Sequence, residues 1–509
     1  MNAIRIENLR SLQDTGFQKL SPLTILLGNN SSGKSTFLRS LPLLKQSFQD
    51  KILGPITFFG SLVDFGDFNT ALTKNSSDKN ISITLSFNIS EKNLFFFRER
   101  DTEYDNLYPI ELKLIFNKYE KSDVIFISYC KINILDEIFE LSFSEDNNLN
   151  KLVLNNIDYF DENFETTVFY RDGGFFPSFH NSQETLYIKN NVFNTPFLNL
   201  YKELLNSQKN IKDQTRTISF GMRNLDYFPI YGKHLKPEYL NHFIFQECFP
   251  PKVIKKLENK IIDFNLFSDY LFLSQIPRLL NIIEKTLSKE MKNLYYSKPL
   301  RANAERYYRI QPLAVDEVSA DGRNLISFIN NLTKNQRQKF ESWIDSNFDF
   351  KISIKPYEGH QSLLIKNKGD DEFSNISDMG FGYSQIIPII TQLWAIQEKI
   401  SNHDENNTNF MFAIEQPELH LHPKMQRELI KTFCSTINYA KQNNIDIKII
   451  LETHSEKMVN YLGELIEDNL ITAEDISILL FEKENKLTKL RSVLFDENGY
   501  LQDWPINFF

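Results

Sequence analysis

At 509 residues the chain exceeds one ordinary domain and has room for about three. Hydrophobic residues at 41% and aromatics at 13% can build a sizeable core, which excludes wholesale disorder. The balance of 57 basic against 66 acidic residues, net −9, excludes a generally basic nucleic-acid-coating protein and leaves local basic patches open.

The three cysteines, Cys130, Cys248 and Cys434, lie far apart with no metal spacing. Free thiols in a reducing cytosol are expected, not a disulfide framework or a zinc hook. The opening "MNAIRIENLRSL" is charged early and has no signal-peptide core. No apolar run approaches the roughly 20 residues of a spanning helix. A soluble, cytoplasmic protein without a membrane role is expected.

The first strong motif is "LTILLGNNSSGKSTFL". A β-type run, Leu23 to Leu27, enters Gly28, Asn29, Asn30, Ser31, Ser32, Gly33, Lys34, Ser35 and Thr36. This fits G-x-x-x-x-G-K-S/T with strand before and helix after, the context that confirms a phosphate loop. Glycines let backbone N–H groups curl around phosphate oxygens, and the helix offers its positive N-terminus. Lys34 is placed for the β- and γ-phosphates of ATP, and Ser35 for Mg²⁺.

From about Ser82 to Tyr170 the chain alternates, as in "ISITLSFNIS", "IELKLIFNKY" and "DVIFISYCKINIL". These read as antiparallel strands with charged turns. "DGGFFPSF" (Asp172 to Phe179) is a turn-rich boundary. Asn194 to Leu294 reads as mostly helical. In "PLRANAERYYR", Arg301, Arg306 and Arg309 interleave with tyrosines. Phosphate contact and a salt-bridged turn are the two readings. "KNQRQKFESWIDSNF" is a short helix, and "FKISIKPYEG" with "SLLIKNKG" a hairpin.

Ser374 to Ser384 in "SNISDMGFGYSQIIPIITQLWAIQ" is polar and glycine-bearing, with helix spacing from Gln385 onward (Ile386, Ile389, Ile390, Leu393). Glycines before a helix make an anion site. An ordinary helix start capped by Ser377 or Ser384 is the bland alternative.

In "NFMFAIEQPELHLHP", Phe410 to Ile414 is a buried strand ending in Glu415, where a carboxylate can hold Mg²⁺. Pro417 turns the chain. A helix (Met425, Leu429, Phe433, Ile437) leads to a second strand, "DIKIILETHSEKMV", with His454 just past its end. Ligands of open α/β sheets bind at that edge. His420 and His422 have no obvious third ligand, so a packed, hydrogen-bonded turn is preferred to a metal site. "DISILLFEKENKLTKLRSVLFDENGYLQDWPINFF" gives two strands and an aromatic tail (Trp504, Phe508, Phe509), expected to pack on the nucleotide-binding part or to dock a partner.

Together, "GNNSSGKS", "SDMGFGYSQ", "FMFAIEQPE" and "ETHSE" resemble the Walker A, signature, Walker B and histidine-switch segments of the ABC-type ATPases that include SMC, RecF and OLD proteins. The resemblance also takes in "EQPELHLHP", the stretch Pro299 to Tyr308 and the ending Gly499 to Phe509, as in bacterial predicted ATPases. It covers both ends well and the middle poorly. It implies an α/β fold: an ABC-type P-loop head with an antiparallel β lobe and a helical or mixed insertion. The expected division is head at 1–90, β-rich insertion at 91–193, helical or mixed insertion at 194–373, head again at 374–475, and strands with tail at 476–509.

The resemblance further implies a dimer sandwiching two ATP molecules. Lys34, Ser35, Glu415 and His454 then act in cis, while Ser377, Gly380 and Gly382, with Ser384 beside them, face the nucleotide in trans. Binding and assembly are then linked. Two departures matter. Where many relatives carry a glutamate, this chain has Gln416, which can orient water but cannot accept its proton. Slow turnover is expected, with Glu418 a candidate substitute base. There is also no long coiled coil, and the segment after His454 is too short for the nuclease domain of OLD proteins. A nuclease is therefore expected on a separate effector, as in Septu and retron-associated defence systems. The alternatives are a RecF-like clamp that contacts nucleic acid and an ATP-binding scaffold.

Overall fold

The computed structural model describes the chain except residues 51, 75, 95–105, 121, 147, 161–166, 170–174, 177, 181–192, 206–227, 242, 262, 311–313, 403–408, 485–486 and 505–509. Two compact units emerge, one of residues 1–9, 46–59 and 65–289, the other of 10–45, 60–64 and 290–509.

The first unit is built on strands Ala3–Leu9, Ile81–Ser90, Leu107–Lys118, Ile125–Ile134, Glu137–Phe143, Leu149–Leu154 and Ile157–Asp158, paired antiparallel in that order. Alternation in the sequence becomes alternation of faces. In Leu107–Lys118 the residues Ile110, Leu112, Leu114 and Phe116 are buried while their neighbours are wholly or partly exposed, because successive side chains point to opposite faces. The helices of this unit include Asn194–Leu205, Pro251–Glu258 and Phe264–Lys292. They pack around Phe197, Tyr201, Phe245, Phe249 and Phe267. The strand Ile81–Ser90 belongs to this unit. Asp172 to Gly174 and Pro177 of the turn-rich stretch, and Phe508 and Phe509 of the tail, lie outside the described residues.

The second unit carries the phosphate loop. Its elements are β1 (Leu23–Gly28), α1 (Lys34–Gln49), β2 (Leu294–Ser297), α2 (Lys334–Phe348), β3 (Phe350–Tyr357), β4 (His360–Asn367), α3 (Phe381–Ser401), β5 (Asn409–Glu415), α4 (Pro423–Gln442), β6 (Asp446–Glu452), α5 (Glu456–Glu467), β7 (Ile476–Glu484) and β8 (Leu487–Val493). The sheet order is β2-β5-β6-β1-β7-β8. All neighbours are parallel except the last pair. Its inner strands read as near-continuous apolar runs because helices cover the sheet's faces. Ile386, Ile390 and Leu393 of α3 and Leu429, Phe433 and Ile437 of α4 join Leu23, Ile25, Ile449 and Leu451 in one core. This is an α/β head with the phosphate loop between β1 and α1, on a mostly parallel sheet.

Local signals explain several ends. Thr333 and Gln336 form a reciprocal capping box at the start of α2. The β3–β4 hairpin turns at Glu358 and Gly359, both at positive φ, as a two-residue turn requires. Trp504 packs on the core of this unit.

Candidate nucleotide site

The phosphate loop sits between β1 and α1. Gly28 has φ +152°, and a Cβ there would lie 2.4 Å from the Phe481 carbonyl oxygen. Gly33 has φ +106° and fits against the hydroxyls of Ser11 and Thr488, each 2.9 Å from where a Cβ would be. Only glycine meets both demands. Asn29, Asn30 and Ser31 form the exposed tip, with Ser31 at φ 60°. Ser32 N–H donates to the Asn29 carbonyl at 3.2 Å, and the Thr488 hydroxyl donates to the Ser32 carbonyl at 2.6 Å. Lys34 is buried. Its ammonium donates to the carbonyls of Gly28 and Asn29 at 2.8 and 2.9 Å, and burial holds its pKa below the ordinary lysine range. Thr36 follows in the first turn of α1.

The parallel register places the last residues of β5 and β6 side by side, Glu415 against Glu452. Both carboxylates are almost wholly buried. Arg39, one turn beyond Ser35 on α1, clamps Glu415 through Nε and Nη2, both at 2.7 Å. The Tyr296 hydroxyl, at the end of β2, donates to Glu415 Oε1. Burial and the adjacent carboxylate push that phenol well above its ordinary range, so it stays a donor. Glu452 is held differently. Ser35 Oγ donates to its Oε1 at 2.7 Å, while its buried Oε2 has no hydrogen-bond partner among the described residues. Burial first, then the Glu415 charge, push its pKa up to about 7.

Gln416 turns the chain at φ 43°, and its N–H donates to the Glu452 carbonyl at 2.7 Å. Glu418 Oε1 accepts the His454 N–H at 2.8 Å, and burial raises its pKa. His454 itself is lowered by burial and then by Lys34, which favours the neutral ring. Arg301 is buried beneath this edge. It donates to the Glu415 carbonyl and the Ser297 hydroxyl, both at 2.9 Å, and burial pushes its pKa down to about 10. Arg306 is exposed and paired with Asp378 of the signature segment. The Arg306–Asp378 pair is of the kind the salt-bridged turn expects.

The signature segment departs from expectation in one detail. The helix begins at Phe381, four residues early, and its N-cap is Gly380 with no side-chain cap. Neither Ser377 nor Ser384 caps it. Ser377 sits in a short 3₁₀ turn and donates to Asn375, and Ser384 donates back to the Phe381 carbonyl. Gly382 packs on the His420 carbonyl, 2.9 Å from where its Cβ would be. His422 caps α4 by accepting the Lys424 N–H, and the His420 ring lies beside Phe381. No cluster of three potential metal ligands among His, Cys, Asp and Glu occurs among the described residues. None of their helices is long and apolar enough to cross a membrane.

Sequence reasoning located Lys34, Ser35, Glu415, Glu418 and His454 near one sheet edge. It missed Arg39, Tyr296 and Glu452. Arg39 carries a signal, its i+4 spacing from Ser35 on one helix face. Glu452 carries another, as the terminal acid of the strand that leads to His454.

The family profile described as AAA ATPase domain matches residues 1–459. Endonuclease GajA of Bacillus cereus (strain HuB5-5) is 24% identical over 245 residues, covering 41% of this chain and 35% of GajA. The chain thus spans about a third of that relative's length. Among solved structures, an Smc head bound to the C-terminal winged-helix domain of ScpA is 10% identical over 97% of this chain and 98% of that one, with a TM-score of 0.37. The SMC head domain from Thermotoga maritima is 8% identical over 96% and 98%, with a TM-score of 0.32. With a profile match over most of its length and a phosphate loop in full context, the chain belongs to the AAA ATPase domain family.

Proposed function

We propose that this ATPase binds ATP with Mg²⁺, turns it over slowly, and serves as the nucleotide-responsive subunit of a bacterial anti-phage defence complex that controls a separate effector. The observation that carries the nucleotide reading is the convergence of Lys34, Ser35, Glu415 and Glu452 on one sheet edge. Lys34 exchanges the Gly28 and Asn29 carbonyls for β- and γ-phosphate oxygens, keeping a partner in both states. Ser35 and one of the strand-end glutamates would hold Mg²⁺, and the buried bare oxygen of Glu452 fits a hard cation. Bound Mg²⁺ supplies positive charge against the phosphates.

Gln416 orients the attacking water without accepting its proton. Glu418, half-buried beside the His454 N–H with a raised pKa, is the substitute base. Ser377, Gly380 and Gly382 face the nucleotide of a second copy in an ATP sandwich. The likeness to an endonuclease supports nucleic-acid cleavage as the output of the complex. An HNH-type nuclease, with or without a retron, is the effector of choice, by analogy with the family.

Three measurements test this. ATP affinity should fall roughly 10–100-fold in Lys34→Ala, the value of a charge-assisted contact. Fast steady-state hydrolysis insensitive to Glu418→Gln sinks both slow turnover and the substitute base. A tagged pull-down from the native host, read by intact-complex mass spectrometry, should yield a stoichiometric nuclease. A clean homodimer retaining only DNA overturns the effector reading.

A further inference from the structure

Two glutamates end adjacent parallel strands, yet only one is electrostatically satisfied. Both oxygens of Glu415 are engaged, by the bidentate Arg39 guanidinium and the Tyr296 hydroxyl. Its charge is already matched by a full positive charge at 2.7 Å. A fork-to-fork pair of this kind is among the strongest polar contacts a protein makes. For Glu415 to ligate a cation, Arg39 would have to leave a carboxylate that is 1% exposed.

Glu452 is 3% exposed and has no guanidinium or ammonium within hydrogen-bond distance among the described residues. The Lys34 ammonium is engaged with Gly28 and Asn29. Among the described residues, the one polar side chain bonded to the Glu452 carboxylate is the Ser35 hydroxyl, the group a P-loop offers to Mg²⁺. A buried carboxylate oxygen with no partner is costly unless a cation or donor completes it. The geometry therefore differs from the expectation that Glu415 is the metal carboxylate.

We propose that Glu452, rather than Glu415, pairs with Ser35 to hold the Mg²⁺ of bound ATP, and that Arg39 and Tyr296 withhold Glu415 as a structural anion. This inference rests on the nucleotide reading above. Glu415 then acts as a positioning residue. Its carboxylate fixes Arg39, and its carbonyl accepts from Arg301, so the strand end stays rigid beneath the site.

The test uses the full-length protein with ATPγS as nucleotide and Mn²⁺ as the probe, free Mn²⁺ being counted by electron paramagnetic resonance. Nucleotide affinity in EDTA is measured in parallel and reports folding and the phosphate loop. Glu452→Gln should weaken Mn²⁺ binding to the nucleotide complex by roughly 10–100-fold, with ATPγS affinity in EDTA unchanged. Ser35→Ala should do the same, and the double variant should add little, as expected for one shared ion. Glu415→Gln should leave Mn²⁺ affinity within about threefold.

A large loss in Glu415→Gln with Glu452→Gln near wild type overturns the proposal, and so do equal losses in both. Should Glu415→Gln fail to fold, Arg39→Gln replaces it. By releasing Glu415, it should partly restore Mn²⁺ affinity to Glu452→Gln, and no restoration overturns the withholding of Glu415. If the wild-type protein binds no ATPγS, the nucleotide reading itself has failed, which the EDTA arm distinguishes.

Discussion

Glu415 and Glu452 occupy equivalent places, the last residues of neighbouring parallel strands in mutual register. Their surroundings are opposite. Glu415 is closed by Arg39 and Tyr296, while Glu452 leans on one serine hydroxyl and leaves an oxygen bare. Equivalent backbone positions thus do not confer equivalent chemistry. What differs is which side chains neighbouring elements deliver: α1 sends Arg39 to one acid and Ser35 to the other. On the proposed assignment the acid that receives the cation is the unmatched one, and local stability falls where function is placed.

The comparison is broken most severely by removing the cation from the closed acid. Arg39→Ala leaves Glu415 buried without a counter-charge. Stability should fall by about 2–3 kcal/mol, below the figure for a fully buried pair because Arg39 is itself 38% exposed. Urea unfolding would show it, and a loss under about 0.5 kcal/mol would mean that Glu415 does not depend on Arg39.

The open acid should behave in the reverse sense. Its pKa in the fold, about 7, lies above the ordinary value near 4.5. Ionising Glu452 therefore counts against the metal-free fold, and its contribution declines as pH rises from about 4.5 through about 7. Glu452→Gln should stabilise the metal-free protein by roughly 1–2 kcal/mol near pH 8, with the gain fading toward pH 5. A gain independent of pH, or a loss near pH 8, would contradict the assignment. The smallest effect belongs to Tyr296→Phe. Glu415 keeps Arg39, so about 1 kcal/mol is expected. A loss matching that of Arg39→Ala would show that the phenol, not the guanidinium, closes the site.

These contrasts also mark what the sequence could reveal. The phosphate loop is legible because its backbone demands glycine at Gly28 and Gly33 and because strand and helix flank it. The end of β5 is legible because an apolar run stops at an acid. The partners of that acid are not. Arg39 and Glu415 are separated by 376 positions, and pairing at such distance is set by tertiary packing, which local pattern does not encode. The start of α3 is not legible because Phe381 to Ser384 shows little apolar periodicity, its first turn being mostly partly or fully exposed. Periodicity gives the faces of the strand Ile81–Ser90 and not its neighbours, so the sequence does not tell which strands it pairs with.

One contact near the phosphate loop bears on how the protein is made. Thr488, in the hairpin of β7 and β8, bonds the Ser32 carbonyl, and its hydroxyl stands against Gly33. The residues joined lie 456 positions apart. A ribosome emitting roughly 5–20 residues per second would release the loop long before its prop. The nucleotide pocket therefore matures late, as a long-range closure with its attendant kinetic barrier. Nascent chains lacking the hairpin carry the motif without its support, so nucleotide retention would report that synthesis has passed the last strand.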